Sequence, residues 1–421
     1  MVLIKILNGG IGFATVTVFA RLMPPDSYGI YILALTVAQF LAMPLQMGLP
    51  QLLTREIAVA RAENRPAVVK GVRLWSERII AWGGLALGVV ILGLHALVIA
   101  AGWPILQEAS WSLVLVIVVL IPVIAEMKRL MGLLAGFRKP AQSRVPDGLV
   151  RPGLLLCVGA AGLMAGLLDE TGLLMVYLVT ALCAVLVGKL LMRRADPVAH
   201  VGAAEYHSTD WWRSIGPLTL FAAAGTINTY ADIMMIGAME SVESVAHYRI
   251  ASQIAGVALL VQIAVNAVIG PRIAAFNVTD DYDRMQGMAV RGCRIAFGAT
   301  LGFAGLLYAL GVEGFVALLG PAYAPVYPLA VALAFGSMVQ TFFGGATWIL
   351  NMTRREKSSA TYALISAGGN ICLNLALIPF LGAMGAVMAT VLTSLLMQGL
   401  AWSRIRRDLG IRSDAFARLR A

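Results

Sequence analysis

The chain has 421 residues, of which 59% are hydrophobic and only 13% are charged, and its mean hydropathy is +0.83. A soluble domain is about half apolar and about a quarter charged, so this composition excludes an ordinary soluble protein. Membrane helices of about 20 residues, twelve in number, would fill over half of the chain. A large catalytic domain outside the membrane is therefore excluded as well.

The formal charge of +10 comes from 32 Lys and Arg residues that stand between apolar runs. This placement favours membrane lipids and an anionic substrate as partners and argues against nucleic acid. The four cysteines show no CxxC spacing, and the four histidines form no metal-binding motif. The sequence thus predicts a protein without metal or cofactor, and it contains no motif that would make it an enzyme.

The first predicted membrane helix covers residues 1–23, with Lys5 near its start and no small-residue cleavage site at its end. This pattern predicts a retained helix and not a removed signal peptide. Eleven further apolar runs follow, separated by turn-forming residues or by basic clusters. They lie at 28–50, 79–101, 111–131, 150–168, 172–192, 215–239, 246–268, 295–318, 329–350, 361–380 and 384–402.

Thirty of the 32 basic residues fall on one side of the membrane if the amino terminus is cytoplasmic. Cytoplasmic segments retain positive charge, so we expect a multi-pass protein of the inner membrane with both termini in the cytoplasm. The two exceptions, Arg21 and Arg249, lie near the outer ends of the first and eighth helices. The other basic residues are Lys5 and those within 55–78, 128–151, 189–213, 272–294, 354–357 and 404–420.

The two halves of the chain resemble each other when the sequence is shifted by 217 positions. Matched residues keep the same place relative to helix ends, which indicates two copies of one six-helix unit. Since six is even, both copies enter the membrane in the same direction, and transporters with such parallel repeats bind substrate between the copies. The matched pairs are Leu3 with Leu220, Tyr31 with Tyr248, Ala34 with Ala251, Arg55 with Arg272, Pro104 with Pro321 and Arg138 with Arg355.

The repeat predicts an amino-terminal lobe at 1–195, a cytoplasmic linker at 196–213, a carboxyl-terminal lobe at 214–402 and a basic cytoplasmic tail at 403–421. Six arginines alternate with apolar residues in the tail. Such a segment is expected either as a helix lying on the inner leaflet or as a solvated tail.

Residues 20–58 contain a motif of turn and helix residues. It consists of Arg21, Leu22, Pro24, Asp26, Tyr28, Gly29, Tyr31, Gly48, Leu49 and Pro50. This motif resembles the opening of the polysaccharide biosynthesis exporters, the flippases of lipid-linked O-antigen and related repeat units, with Met23 where a glycine is common in that family. These exporters belong to the multidrug, oligosaccharidyl-lipid and polysaccharide exporter superfamily. In the second half, Asp232 resembles the family's aspartate on helix 7 and Tyr248 its tyrosine on helix 8, although Ala246 and His247 replace a common Gly-Leu.

The resemblance implies an all-α, MATE-like protein with twelve membrane helices in two six-helix lobes. It also implies a flippase that moves a polyprenyl-diphosphate-linked oligosaccharide by alternating access, beside a glycan polymerase and glycosyltransferases. Two alternatives stay open. One is a multidrug or organic-cation antiporter on the same fold, and the other is a scaffold of a glycan-assembly complex that transports nothing.

Asp232 and Arg249 are the principal candidates for a site. A charge well inside the bilayer is costly, so such residues usually face a cavity or a partner. They could form a structural ion pair between helices 7 and 8. Alternatively, Arg249 could bind a diphosphate through its planar guanidinium while Asp232 orients it or couples transport to an ion. Asn228, one turn before Asp232, could extend this site or bond to a neighbouring helix.

Three further residues are candidates of a different kind. Arg21 could anchor helix 1 at the outer interface. The resemblance implies an alternative, because that fold places helices 1, 2, 7 and 8 around a central cavity, where Arg21 would face Arg249 in a phosphate clamp. His95, within an apolar run, is a candidate proton site. Glu126 is a candidate ion-coupling group or a partner of Arg129 three residues later. Isolated Asn and Gln residues within helices, such as those at 370 and 374, could line a sugar-binding cavity or hold helices together.

Overall fold

The computed structural model of the chain describes residues 2–46, 48–101, 110–195 and 203–418. Within these ranges the protein consists of α-helices, a π-helical segment at Pro146–Val150, a 3₁₀ turn at Pro321–Tyr323 and short connections, and no strand occurs there. The helices are α1 (Val2–Leu22), α2 (Pro25–Leu41), α3 (Met43–Gln46), α4 (Leu49–Ala62), α5 (Pro66–Ala100), α6 (Trp111–Gly136), α7 (Pro140–Val145), α8 (Arg151–Met164), α9 (Glu170–Ala195), α10 (Ser208–Met239), α11 (Val242–Val257), α12 (Leu260–Val278), α13 (Tyr282–Leu319), α14 (Val326–Phe342), α15 (Ala346–Met352), α16 (Glu356–Leu381) and α17 (Ala383–Leu409).

Each of the twelve predicted apolar runs overlaps one helix or two to three consecutive helices. In the described ranges, eight helical segments are long and apolar enough to cross a membrane, and nine are if α2 is joined to α3 and α4. The remaining runs overlap α1, α6 and α10. The prediction of an all-α protein with many membrane helices is confirmed, while the count of twelve stays a prediction.

Helix ends follow local side-chain chemistry. Side-chain oxygens of Ser110, Ser241 and Asp281 accept hydrogen bonds from backbone amides of the helices that they precede. These caps satisfy amides that have no partner within the helix. Gly48 and Gly345 adopt the left-handed conformation at the starts of α4 and α15, where the chain breaks and resumes as a helix.

The chain divides into two compact units, each of which packs mainly within itself. The first unit comprises Leu3–Ile11 and Ile30–Thr226, and the second comprises Gly12–Gly29 and Ile227–Ala421. The division therefore falls within α1, α2 and α10. The lobe boundaries expected from the repeat, at 195 and 214, stay a prediction.

Gly29, in the motif after α1, allows two backbones of the second unit to approach closely. A Cβ atom at this position would lie 1.8 Å from the carbonyl oxygen of Val242, at the start of α11. Any larger residue would push the first turn of α2 away from α11. Glycine is therefore needed at this position of the motif for close packing of α2 against α11, which the sequence alone did not reveal.

The described part of the segment expected as a basic tail differs from both expectations: it continues α17 as far as Leu409, and the residues after Gly410 pack into the second unit. Gly410 ends the helix in the left-handed conformation, and residues 411–418, the C-terminal strap, are non-helical and packed into the second unit. Ile411 and Ser413 are fully buried. Ser413 Oγ donates to the carbonyl of Phe343 at 3.0 Å, so the strap finds partners within the protein.

Candidate functional site

Asp232 is buried in the second unit, where three uncharged side chains donate hydrogen bonds to its carboxylate. The amide of Asn374 donates to Oδ1 at 2.7 Å, and the hydroxyl of Thr390 donates to Oδ2 at 2.7 Å. The hydroxyl of Tyr248 donates to Oδ2 as well. Since the donors stand on α16, α17 and α11, one carboxylate of α10 connects four helices.

The predicted ion pair between Asp232 and Arg249 is not formed. In the described part of the chain, the partners of the carboxylate are all neutral, and no basic side chain pairs with it. The reason lies in helix geometry. Tyr248 occupies the position on α11 that faces Asp232, and the next residue points about 100° away around the helix.

A buried carboxylate without a basic partner is a costly arrangement, because hydrogen bonds replace only part of its lost hydration. The site offers further oxygen atoms close by. Asn374 Nδ2 also donates to Asn370 Oδ1 at 3.1 Å, and Asn374 Oδ1 is buried without a hydrogen-bond partner. Carboxylate, amide and hydroxyl oxygens together suit a proton or a small hard cation. The described residues contain no cluster of three or more His, Cys, Asp or Glu that could hold a metal ion.

Asn370, Asn374 and Thr390 were not assigned to this site by sequence reasoning. The two asparagines were expected to line a cavity or hold helices together, and Thr390 was not distinguished from other residues of its apolar run. Their spacing was the available signal, because residues 370 and 374 lie one turn apart on the same face of α16. What could not be predicted is that this face meets Asp232.

A cavity of about 270 Å³ in the second unit lies against the Asp232 cluster. Arg249 lines this cavity, and in the described part of the chain its guanidinium has neither an ion pair nor a hydrogen bond. Hydroxyl and amide side chains complete the polar part of the wall. The polar lining residues are Thr229, Asp232, Tyr248, Arg249, Ser252, Ser337, Gln340, Thr390 and Ser394.

Arg21 has a role that was not anticipated. Its Nε donates to the carbonyl of Leu318 at 2.8 Å, and its Nη2 donates to the carbonyl of Ala317. These carbonyls lie in the last turn of α13, where the helix dipole is negative and carbonyls lack helical partners. Arg21 thus caps α13 within the second unit, while its predicted part in a phosphate clamp stays a prediction.

The two ion-coupling candidates of the first unit have different surroundings. Glu126 accepts bonds of 2.6 and 2.8 Å from Arg129, which confirms the expected pairing three residues apart. Lys189 lies 3.8 Å from the same carboxylate. His95 is buried with its ring edge against Trp111 at 4.4 Å between centroids, and its Nε2 has no hydrogen-bond partner in the described structure.

Asn228, the remaining candidate, stands on α10, and its side chain lies outside the described part of the structure.

Comparison with known proteins identifies the family of the chain. The sequence matches the polysaccharide biosynthesis protein family over residues 1–277. The chain belongs to this family. The chain is also 27% identical over 169 residues to the probable flippase AglR of Haloferax volcanii. That match covers 39% of this chain and 35% of AglR, so the chain matches about a third of the relative's length.

Solved structures with the same fold are transporters. A multidrug resistance MATE family transporter has a TM-score of 0.72 at 13% identity, covering 97% of this chain and 98% of that one. The lipid II flippase MurJ has a TM-score of 0.69 at 12% identity, covering 96% of this chain and 87% of MurJ. At these identities the similarity establishes the fold alone. The predicted MATE-like architecture of the chain is thereby confirmed.

Proposed function

We propose that this protein is a flippase that moves a polyprenyl-diphosphate-linked oligosaccharide from the inner to the outer leaflet by alternating access. The proposal depends above all on Arg249, a cation without a protein partner in the described structure, which lines a polar cavity. Arg249 is half-buried, and even partial burial of a guanidinium without a partner is unfavourable unless an anion binds it. A diphosphate is a suitable anion, because the planar guanidinium binds pairs of phosphate oxygens.

Asp232 has the second role in the proposal, that of coupling transport to an ion. Its neutral donors leave its charge uncompensated, and the adjoining cavity gives an ion a place from which to reach it. Binding of a proton or cation would remove the charge and alter the hydrogen bonds between α10, α11, α16 and α17. His95 is proposed as a second, weaker candidate for proton binding, whereas the ion pair with Arg129 accounts for Glu126.

The wider setting follows from the same proposal. A substrate assembled on the cytoplasmic side requires glycosyltransferases before the flippase, and a polymerase would use the delivered repeat units. Both termini are proposed to lie in the cytoplasm, on the basis of the 30 basic residues that fall on one side. The protein itself would catalyse no covalent reaction.

Reconstitution tests the proposal directly. Liposomes containing the purified protein and a fluorescent polyprenyl-diphosphate oligosaccharide are treated with a membrane-impermeant quencher, and the protected fraction is followed in time. We expect loss of protection with the unaltered protein and about tenfold slower loss with Arg249→Gln. Arg407→Gln, at an exposed arginine of α17 outside the cavity, is the charge-matched control.

Two outcomes would contradict the proposal. Movement of cationic dyes without movement of the lipid-linked glycan would support the antiporter. Stoichiometric binding of the glycan lipid without any movement, under proton and sodium gradients of either direction, would support a scaffold.

A further inference from the structure

A second, larger cavity lies on the hairpin formed by α12 and α13 in the second unit. Its volume is about 560 Å³, and its wall combines three arginines with apolar side chains. The arginines are Arg272 on α12 and Arg284 and Arg291 on α13. This groove is separate from the Asp232 cavity and has no part in the proposed transport mechanism.

Two of the three arginines have no protein partner in the described chain. Arg272 and Arg291 are exposed, and neither forms an ion pair or hydrogen bond with another described residue. Arg284 lies 3.4 Å from the carboxylate of Asp281, with which it forms an exposed ion pair. The groove therefore presents two uncompensated positive charges from neighbouring helices.

Polar and apolar groups are separated along the hairpin. Counted from the turn after α12 at about 1.5 Å per residue, Arg284 lies roughly 5 Å along its helix, and Arg272 and Arg291 lie roughly 10–15 Å along theirs. Val268 and Ile295 lie still deeper, and they are 66% and 61% exposed. The groove is thus cationic toward the turn and apolar beyond it, as a binding site for an amphiphile would be.

We propose that this groove binds an anionic glycerophospholipid, with the phosphate between Arg272 and Arg291 and an acyl chain along Val268 and Ile295. The apolar wall argues against a free phosphate ion, since Val268 and Ile295 lie at the ends of predicted membrane runs, where a hydrocarbon chain is the expected neighbour. The hairpin turn is predicted to be cytoplasmic, and basic pockets between helices on that side bind anionic lipid head groups. The ligand is a resident lipid and is distinct from the transported one.

Lipid titration followed by native mass spectrometry of the full-length protein tests this site. The probes are dioleoyl phosphatidylglycerol and dioleoyl phosphatidylcholine, which have the same chains and differ in head-group charge. We expect selective retention of phosphatidylglycerol, weakened about tenfold or more in the double variant Arg272→Gln, Arg291→Gln, because each basic residue contributes to binding anionic lipid. The double variant Arg144→Gln, Arg407→Gln has the same net charge and alters exposed arginines elsewhere, so it should bind as the unaltered protein does.

A steric variant examines the apolar half without changing the charge. Ile295→Trp should fill the groove and weaken phosphatidylglycerol binding, whereas Leu301→Trp, at a 47% exposed position of the same helix outside the groove, should not. Thermal unfolding of each variant verifies that the protein is folded. Asp232→Asn should retain the lipid normally, so failure of the transport proposal would leave this test unaffected.

Several results would overturn the inference. Equal retention of the two lipids, or unchanged binding in the arginine double variant, would remove the anionic site. Equally tight binding of glycerol phosphate would indicate an anion site without a lipid. Displacement of phosphatidylglycerol by polyprenyl diphosphate at equimolar amounts would assign the groove to the transported substrate instead.

Discussion

The side-chain amide of Asn374 donates a hydrogen bond of 2.7 Å to the carboxylate of Asp232 and thereby joins α16 to α10. Thr390 and Tyr248 tie α17 and α11 to the same carboxylate. A change in the charge of this one group alters three hydrogen bonds between helices at once. This is a physical route by which ion binding can change helix packing, which an ion-coupled transporter requires.

Asp232→Asn should abolish most transport, with a rate at least tenfold lower, while the protein stays folded. The amide keeps the size of the side chain and removes the charge, so it cannot bind and release an ion. Its melting temperature should be unchanged or higher, because burial of a charge is relieved. Proteoliposome transport and thermal unfolding are the measurements. Normal transport by this variant, with an unaltered dependence on the ion gradient, would exclude coupling at Asp232.

Tyr248→Phe separates the hydrogen bond from the charge. This variant removes one donor to Asp232 and keeps the carboxylate. We expect a loss of about 1 kcal/mol in stability and partial, ion-dependent transport, since hydrogen bonds within membrane proteins are individually modest. A complete loss of transport at normal stability would instead give the tyrosine hydroxyl a direct part in ion transfer.

Arg249 should be required for transport of the substrate but not for folding of the protein. Its guanidinium has no ion pair or hydrogen bond in the described structure, so Arg249→Gln should leave the melting temperature within about 1 °C of normal. Transport of the diphosphate lipid should fall about tenfold, and Arg249→Lys should keep an intermediate rate because charge remains and bidentate binding is lost. Unfolding of the Gln variant at a much lower temperature would point to a structural role.

Arg21 is expected to act mainly on stability. Arg21→Ala removes the donor to the last-turn carbonyls of α13 and should cost up to about 1 kcal/mol, with Arg21→Lys keeping part of the effect. Thermal unfolding in detergent measures this cost. A different result, lost transport at unchanged stability, would favour the phosphate clamp that the sequence suggested.

The fold could be predicted well because membrane helices have a strong local signal. Long apolar runs, basic clusters and the motif between Arg21 and Pro50 can each be recognised within a short stretch of sequence. The positions at which one predicted membrane helix is broken into two helices were harder to predict. Leu259, where α11 ends and α12 begins, lies inside the run that the sequence predicts as one helix at 246–268.

The site could be predicted only in part, because its chemistry depends on contacts between distant segments. Asp232 was recognisable as a charge in an apolar run. Its partner was expected to be Arg249, the nearest opposite charge in sequence, whereas α16 and α17 supply two of the actual donors from more than 140 positions away. Tyr248 and Arg249 are adjacent on α11, so a shift of one residue along this helix determines which of them faces the carboxylate of Asp232.

The orientation of the chain can be tested with reporters. Fusions after residues 65, 140, 200, 285 and 356 should report the cytoplasm, and fusions after 25, 106 and 324 should report the outside. The expectation rests on the placement of basic residues, which resist translocation. The activity of reporter enzymes that work on only one side of the membrane, measured at matched expression levels, shows where each fusion point lies. Inversion at several of these positions would overturn the twelve-helix arrangement.

The C-terminal strap should stabilise the second unit by covering the region around Cys293. Ile411 is fully buried, and its replacement by Ala should cost about 2–4 kcal/mol, as removal of buried methyl groups does. Cys293 is 1% exposed. In a background with Ser at the other three cysteines, truncation after Gly410 should therefore speed maleimide labelling of Cys293 severalfold. Arg407→Ala, at an exposed position on α17, should change neither labelling nor melting temperature. Unchanged labelling and unchanged stability in the truncated protein would mean that α12, α13 and α15 hold together without the strap.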